Sequence, residues 1–386
     1  MAGAEGREGG FHCRGREVRQ LGGLGVDARA LMGWGGSVRE ILVIRWKSIG
    51  DVVFALPAVN VLRGRFPGAR ITLMVSKENA FVAEGFEAVD RVWTVDRDAL
   101  RGRRVLAGLR ETAGLIGEVR RAGFDLAVDL QGYGETAALT RWSGAPLRWG
   151  YGNGALRSRA FTTAVARDPG RHPAMGHLDL LARAGIAAGK VSNAFRVRPG
   201  NASRARQFLA ERGHGPGSRW AYVQPFTSAA SKNWPLDRYL QLAVLLRSQG
   251  CRVLWGGGEE DRGAMTGAGV PGHELIPSLP RSVMAGILGE ASLVVGGDTG
   301  FVHLAVALGR PVVMVGNRNM VLPLCEHGVA VRGATEHMGD VGLEAVAAAT
   351  TRQLERRPVL QACVTWTSLE DGSEAGAVND GVRAGA

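Results

Sequence analysis

The chain has 386 residues, of which 45% are hydrophobic and 22% charged, and its 47 Lys and Arg outnumber 36 Asp and Glu to give a formal net charge of +11. This length accommodates two domains with separate cores, and because no apolar run approaches the roughly 20 residues of a membrane span, the sequence predicts no transmembrane helix. The four cysteines lack metal-ligand spacing and no aromatic-rich RNA-binding motif occurs, so the positive charge favours an acidic substrate or an anionic membrane surface over nucleic acid.

The first half of the chain alternates strand-like and helix-like patterns. Residues 1–37 are rich in Gly and charge without periodicity, and we expect them to be disordered or an upstream extension. A helical pattern follows the first apolar run, and an Arg-flanked one spans Leu106 to Val119. The predicted strands are Ile41–Ile44, Ile71–Val75, Val92–Val95 and Leu126–Val128. This alternation predicts a doubly wound α/β domain over residues 38–195.

The same alternation resumes near Trp220 and continues to a last helix from about Val341 to Leu354. The predicted strands are Ala221–Val223, Val253–Trp255, Leu293–Val295 and Val312–Val315. Gly, Pro and polar residues accumulate just before this series. We therefore predict a linker at 196–218, a second α/β domain at 219–360 and a flexible tail at 361–386.

Asp51 lies in the turn Ser48-Ile49-Gly50-Asp51, between the first predicted strand and the first predicted helix. An acid in the first helical turn often only complements the helix dipole. However, α/β folds present ligands at the carboxyl ends of their strands, and a carboxylate at that position can take a proton from an attacking hydroxyl.

A second turn of the same kind, Asp298-Thr299-Gly300, follows the strand that ends at Val295. Backbone N–H groups at the start of the following helix can point at a diphosphate. Asp298 is better suited to organise the turn or bind a donor hydroxyl, because like charges repel. His303 lies one helical turn beyond Thr299 and therefore on roughly the same face, as either a ligand contact or a structural histidine.

Two further loops follow strands of the second half. Thr227, Ser228 and Lys232 can cradle phosphate with hydroxyl, N–H and ammonium donors, although a solvated loop before a helix has the same composition. Glu259 follows three glycines and can hold ribose hydroxyls, or it can belong to an acidic surface loop.

Three other sequence patterns say less about function. Asp96-Arg97-Asp98 matches a D-x-D metal motif, but helix capping explains the two acids equally well. Gly22-Gly23-Leu24-Gly25 is not a proper dinucleotide-binding G-x-G-x-x-G motif and has no preceding strand, so the sequence does not support a nicotinamide enzyme. Arginines concentrate between Arg141 and Arg171, where Asp168 is the one opposing acid. Such a surface would attract an acidic acceptor.

Four segments together resemble glycosyltransferase family 9, the bacterial heptosyltransferases of lipopolysaccharide core assembly. They are ILVIRWKSIGDVVFALPAVNVLRGRFPGARITLMV, FDLAVDLQG, SKNWPLDRYLQLA and LVVGGDTGFVHLAVALGRPVV. The resemblance implies a GT-B fold, with two Rossmann-like domains and the active site in the cleft between them. This chain departs from the family pattern at Val315–Asn319, where members usually have F-G-P-T, and at QPFTSAAS, where H-P-G-A is commoner.

The resemblance implies an inverting transfer of heptose from ADP-heptose to a lipopolysaccharide inner-core sugar. Asp51 falls on the catalytic base, and the acceptor would bring Kdo carboxylates or phosphates to Arg148, Arg157 and Arg159. No metal or other cofactor is expected, and we expect a cytoplasmic protein with peripheral contact at the inner membrane. The alternatives are another sugar nucleotide or glycan acceptor, a sugar-nucleotide epimerase, and a silent binding protein. The family's donor-binding positions fall on Thr227, Ser228, Lys232, Glu259, Asp298, Thr299, Gly300 and His303.

Overall fold

The computed structural model describes residues 37–100, 105–186, 190–192, 195–324, 328–356 and 363–365. The first domain is built on a six-stranded sheet in the order β3-β2-β1-β4-β5-β6, and every neighbouring pair is parallel. Its strands are β1 Glu40–Ile44, β2 Arg70–Ser76, β3 Arg91–Val95, β4 Leu126–Asp129, β5 Leu147–Tyr151 and β6 Thr163–Val165.

Helices cover both faces of this sheet. Alternate side chains of β1 point to opposite faces of the sheet, and both faces are buried: Ile41 and Val43 belong to one apolar cluster, and Leu42 and Ile44 belong to another. A 3-10 turn spans Lys77–Asn79. The helices are α1 Ile49–Val53, α2 Leu56–Arg65, α3 Ala80–Ala83, α4 Arg97–Leu100, α5 Val105–Arg121, α6 Gly134–Trp142, α7 Ala155–Ser158 and α8 Pro173–Arg183.

The second domain has a five-stranded parallel sheet in the order β12-β11-β10-β8-β9. Its strands are β8 Trp220–Gln224, β9 Arg252–Trp255, β10 Leu293–Gly296, β11 Val312–Gly316 and β12 Gly328–Arg332. Its helices are α9 Pro199–Glu211, α10 Leu236–Ser248, α11 Glu259–Gly267, α12 Arg281–Glu290, α13 Gly300–Ala307 and α14 Leu343–Leu354, with 3-10 turns at Ala230–Lys232, Gly272–Glu274 and Met338–Asp340. The predicted alternation of both halves is therefore confirmed.

Two segments between and after the domains have more structure than the sequence indicated. The predicted linker contains α9, and a β-carbon on Gly286 of α12 would lie 2.7 Å from the Ala205 side chain, so the two helices are in close contact. A last short strand, β13 Cys363–Thr365, pairs antiparallel with β7 Lys190–Ser192. These three residues lie in the predicted tail and have a backbone pairing partner next to the first domain, whereas the flexibility of the tail stays a prediction.

Two further expectations concern the N-terminal extension and transmembrane helices. Residues 1–36 lie outside the part of the chain that the structure describes, so the predicted extension is not tested. Within the described ranges, no helix has the length and apolar character needed to cross a bilayer.

Candidate active site

The two glycine-containing turns, from opposite halves of the sequence, touch each other. The Ser48–Asp51 turn leads from β1 into α1, and the Asp298–Gly300 turn leads from β10 into α13. A β-carbon built on Gly50 would lie 3.5 Å from the Gly300 Cα, and one built on Gly300 would lie 2.6 Å from the Ile49 Cβ. Glycine at both positions therefore allows the two helix starts to approach closely across the domain boundary.

Three aromatic rings pack edge-to-face next to this contact. The ring of Phe54 lies edge-on to His303 of the second domain at 4.6 Å between centroids and to His172 at 4.9 Å. His172 Nε2 lies 3.2 Å from the Leu322 carbonyl oxygen, which links the domains again. Burial, reinforced by the nearby His303, lowers the pKa of His172 to about 4, so His172 is neutral at physiological pH.

Asp51 is held by an arginine that the sequence analysis did not single out. Arg45 Nη2 lies 2.6 Å from Asp51 Oδ1, and the Arg45 side chain is 3% exposed against 35% for Asp51. The backbone N–H of Ser48 donates to Asp51 Oδ2 at 2.9 Å, and Arg45 also donates to the Leu130 carbonyl at 2.8 Å. The carboxylate is therefore oriented by fixed donors while one edge stays open to a substrate.

Asp298 connects two of the predicted donor-binding residues. Its Oδ1 accepts a hydrogen bond from His303 Nε2 at 2.8 Å, and its Oδ2 lies 3.6 Å from Lys232 Nζ. Burial raises the pKa of Asp298, but the His303 hydrogen bond and the charges of His303 and Lys232 outweigh burial and leave it lowered. Asp298 is therefore an ionised anchor that places Lys232 beside the second turn.

The loop after β8 uses one of its predicted hydroxyl groups internally. Thr227 Oγ1 donates to the Ala229 carbonyl at 2.9 Å and accepts from the Ala229 N–H at 3.3 Å, and the Thr227 N–H donates to Asn233 Oδ1. Ser228 is exposed. The loop packs over the second turn, since a β-carbon on Gly297 would lie 2.6 Å from the Thr227 methyl group.

Sheet order brings Glu259 to the same edge as Lys232 and Asp298. Strand β8 lies between β10 and β9, so the loops after these three parallel strands are neighbours. Glu259 opens α11, and its exposed carboxylate lies 3.3 Å from Arg262. His303, in contrast, is 4% exposed and lies behind Asp298, against Phe54.

The three arginines predicted to bind the acceptor do not share one surface. Arg148 donates to the carbonyls of Ala145 at 2.7 Å and Ala160 at 3.0 Å, at the amino end of β5. Arg157 donates to the Gly132 carbonyl at 3.3 Å, beyond the carboxyl end of β4, and Arg159 is exposed. Because β4 and β5 are parallel, Arg148 and Arg157 lie at opposite ends of the sheet, and the structure separates Arg148 from the Asp51 turn.

We predict that Arg148→Gln lowers stability rather than acceptor binding. Burial, with the charge of Arg141, lowers the pKa of Arg148, and its guanidinium satisfies carbonyls that would lose their donors. Charged hydrogen bonds of this kind are worth about 1.5–3 kcal/mol, so the melting temperature should fall by several degrees. Arg159→Gln is the matched control and should leave it nearly unchanged. An acceptor KM that rises in Arg148→Gln at constant melting temperature would contradict this assignment.

Three buried polar residues at and just beyond the carboxyl end of β4 support the Asp51 turn. Gln131 Oε1 accepts from the backbone N–H groups of Trp46 at 3.0 Å and Lys47 at 3.3 Å. Asp129 accepts from the N–H of Gln131 and from the Thr136 hydroxyl, and burial raises the pKa of Asp129 to about 6 despite these bonds. The segment FDLAVDLQG contains two of these residues, and their position after a strand was the available signal.

The described residues contain no group of three or more His, Cys, Asp or Glu side chains that could hold a metal ion. At the boundary between the domains they contain an oriented carboxylate on one domain and a lysine beside a helix start on the other. Such a site suits transfer of a group from a phosphorylated donor to a hydroxyl.

Comparison with known proteins agrees with this architecture. A glycosyltransferase family 9 structure from Veillonella parvula has a TM-score of 0.72 at 18% identity, covering 82% of this chain and 97% of that chain. An E. coli heptosyltransferase solved with ADP has a TM-score of 0.65 at 22% identity, covering 81% of this chain and 99% of that chain. The protein therefore has the GT-B fold.

Sequence comparison identifies the family. Lipopolysaccharide heptosyltransferase 1 of Pseudomonas aeruginosa is 28% identical over 286 residues, which cover 70% of this chain and 77% of that protein. The E. coli K12 protein of the same name is 26% identical over 285 residues, which cover 72% of this chain and 87% of that protein. The chain is a glycosyltransferase. The profile of glycosyltransferase family 9 (heptosyltransferase) matches residues 113–322, more than half of the chain, and the chain belongs to that family.

Proposed function

We propose that this enzyme transfers a heptose from ADP-heptose to a sugar of the lipopolysaccharide inner core with inversion at the anomeric carbon. The observation that carries the proposal is the contact between the Asp51 turn and the Asp298–Gly300 turn across the domain boundary. The names of the curated relatives support a lipopolysaccharide acceptor, and the ADP in the E. coli structure supports the nucleotide.

In this mechanism Asp51 takes the proton of the attacking acceptor hydroxyl. The hydroxyl oxygen forms the new bond to the anomeric carbon while the bond from that carbon to the diphosphate breaks, and the nucleoside diphosphate leaves with the electron pair. Lys232 stabilises the charge that develops on the leaving group. The Gly300 N–H, which has no acceptor within α13 at its first turn, assists it. No step requires a metal, and we propose that none takes part.

The remaining predicted donor residues have supporting roles in this proposal. Ser228 offers an exposed hydroxyl to phosphate, and Thr227 shapes the loop that presents it. Glu259 binds ribose hydroxyls from the neighbouring loop. Thr299 caps α13 by accepting the Val302 N–H at 3.4 Å, and His303 orients Asp298.

One loop favours a second candidate, a family member with a different sugar nucleotide. At the carboxyl end of β11, Asn317 donates to the Glu336 carbonyl at 2.9 Å, and Arg318 lies 3.0 Å from the Glu336 carboxylate. This bonded loop stands where the family usually has F-G-P-T, next to the strand that leads to Asp298. A changed loop at that position would alter recognition of the donor base or sugar.

Lys232→Ala is expected to weaken the affinity for nucleoside diphosphate by about tenfold and to lower turnover as well, because a charge-assisted contact is worth about 1.5 kcal/mol at the low end of its range. The low end applies since the Lys232 side chain is 45% exposed. Calorimetry with ADP measures the affinity. Lys77→Ala, in the 3-10 turn after β2, is the control that removes a lysine elsewhere. Unchanged ADP affinity in Lys232→Ala would remove Lys232 from the donor site.

The function is tested with a panel of sugar nucleotides and a Kdo-bearing lipid A acceptor. We expect acceptor-dependent release of ADP from ADP-heptose. Transfer from another donor supports the second candidate. A change in the donor sugar without acceptor indicates an epimerase, and a thermal shift without turnover indicates a silent binder. We place the reaction at the cytoplasmic face of the inner membrane, where a basic enzyme would meet an anionic lipid surface.

A further inference from the structure

Tyr133 is an exposed aromatic residue beside the Asp51 turn. It precedes α6, and the residue is 41% exposed. The ammonium group of Lys47, one residue before the Asp51 turn, lies 5.4 Å from the centroid of the Tyr133 ring. A cation and an aromatic ring therefore form a small platform next to the proposed base.

Buried groups fix this platform to the turn. Gln131, two residues before Tyr133, accepts from the Lys47 N–H at 3.3 Å, and the next residue, Ser48, donates its N–H to Asp51 at 2.9 Å. The Tyr133 N–H donates to Thr136 Oγ1 at 3.1 Å, and Thr136 is fully buried against Asp129. These hydrogen bonds join the backbone that carries Tyr133 to the backbone that carries Lys47 and Asp51.

The ring itself has little structural use. Tyr133 bonds to α6 through its backbone: its N–H donates to Thr136 Oγ1 at 3.1 Å and its carbonyl accepts the Ala137 N–H at 2.9 Å, so an alanine at position 133 would keep both bonds. An exposed aromatic ring beside an ammonium group offers both an apolar face and a positive charge, which together can bind a ligand with apolar and anionic parts.

We propose that Tyr133 and Lys47 form the acceptor subsite, in which the ring packs against the C–H face of an acidic pyranose and the ammonium pairs with its carboxylate. This inference rests on the proposed function of Asp51. It assigns the acceptor role to residues on the β1 and β4 loops, and it leaves Arg148 as a structural residue. An acceptor sugar seated there presents a hydroxyl to Asp51 from the first domain.

The experiment compares acceptor and donor kinetics in Tyr133→Ala, Tyr133→Phe and Lys47→Gln. With a deacylated Kdo-bearing lipid A backbone as acceptor, Tyr133→Ala should raise the acceptor KM about tenfold and leave the donor KM unchanged, whereas Tyr133→Phe retains the ring and should restore the acceptor KM. Lys47→Gln should raise the KM for this acceptor but not for its carboxyl-reduced form. Trp142→Ala, which removes another exposed aromatic residue at the far end of α6, is the matched control.

The outcomes separate this inference from the proposed function. If the wild-type enzyme transfers heptose and Tyr133→Ala keeps its acceptor KM, the subsite is wrong while the function stands. If the wild-type enzyme transfers nothing, the function fails, and calorimetry with the deacylated acceptor decides the subsite: weaker binding to Tyr133→Ala supports it, and equal binding overturns it. Loss of binding to acylated vesicles alone would identify a membrane contact and overturn the acceptor assignment.

Discussion

Asp51→Asn is expected to lower the turnover number of heptosyl transfer by about 10²–10⁴-fold while donor affinity stays nearly constant. Asparagine has almost the same shape, and its carbonyl oxygen can still accept one of the hydrogen bonds that the Arg45 guanidinium and the Ser48 N–H now donate to Asp51. It cannot accept the proton of the acceptor hydroxyl. With ADP-heptose, the proposed donor, release of ADP measures turnover, and calorimetry with ADP measures affinity.

The control must remove the trivial explanation that an acid in a first helical turn only complements the dipole. Asp98 lies in the first turn of α4, as Asp51 lies in the first turn of α1, and it is exposed. Asp98→Asn should keep full turnover, because it changes only a dipole contribution of about 0.3–1 kcal/mol. Near-normal turnover in Asp51→Asn would exclude Asp51 as the base.

Gly300→Ala is expected to lower kcat/KM by about 10²-fold, because a displacement of about 1 Å between reacting groups has effects of that size. Gly300 opens α13, where alanine is intrinsically favoured over glycine. The obstacle is tertiary: the new methyl group would lie 2.6 Å from the Ile49 Cβ and 2.9 Å from the Gly50 nitrogen. The turns that carry Asp51 and Asp298 would have to move apart.

A helical glycine with free space around it provides the control for this substitution. Gly117 lies within α5, and a β-carbon there would meet no atom within 4 Å. Gly117→Ala should retain full activity and gain slightly in stability. Equal kcat/KM in Gly300→Ala and the wild-type enzyme would show that the two turns do not pack against each other during catalysis.

The local residue pattern was sufficient to predict those parts of the candidate site that consist of contiguous residues. A strand, a glycine-containing turn and a helix are contiguous, so Asp51 and the Asp298–Gly300 turn could be recognised from apolar runs and turn residues alone. The two-domain α/β class was predictable for the same reason, since buried parallel strands are continuous apolar runs. Family resemblance then added the GT-B fold, which the structure confirms.

Other features depend on partners that are distant along the chain. Arg45 follows the first strand and is as consistent with a surface cation as with a buried one, until Asp51 and the Leu130 carbonyl surround it. Arg148 was interpreted as an acceptor contact because it lies among arginines, but the carbonyls that bind it belong to chain segments before and after β5. Charge patterning indicates where cations occur and not which groups they satisfy.

The sequence by itself determined the class of fold, the two strand–turn–helix segments that carry Asp51 and Asp298, and the family, because each is encoded in contiguous residues with a defined period or motif. Only the tertiary structure decided that Gly50 contacts Gly300, that Lys232 joins Asp298, and that Tyr133 lies beside the Asp51 turn. These contacts depend on strand order and on how the two sheets meet. Those arrangements are set by the packing of whole apolar faces, which no local pattern specifies.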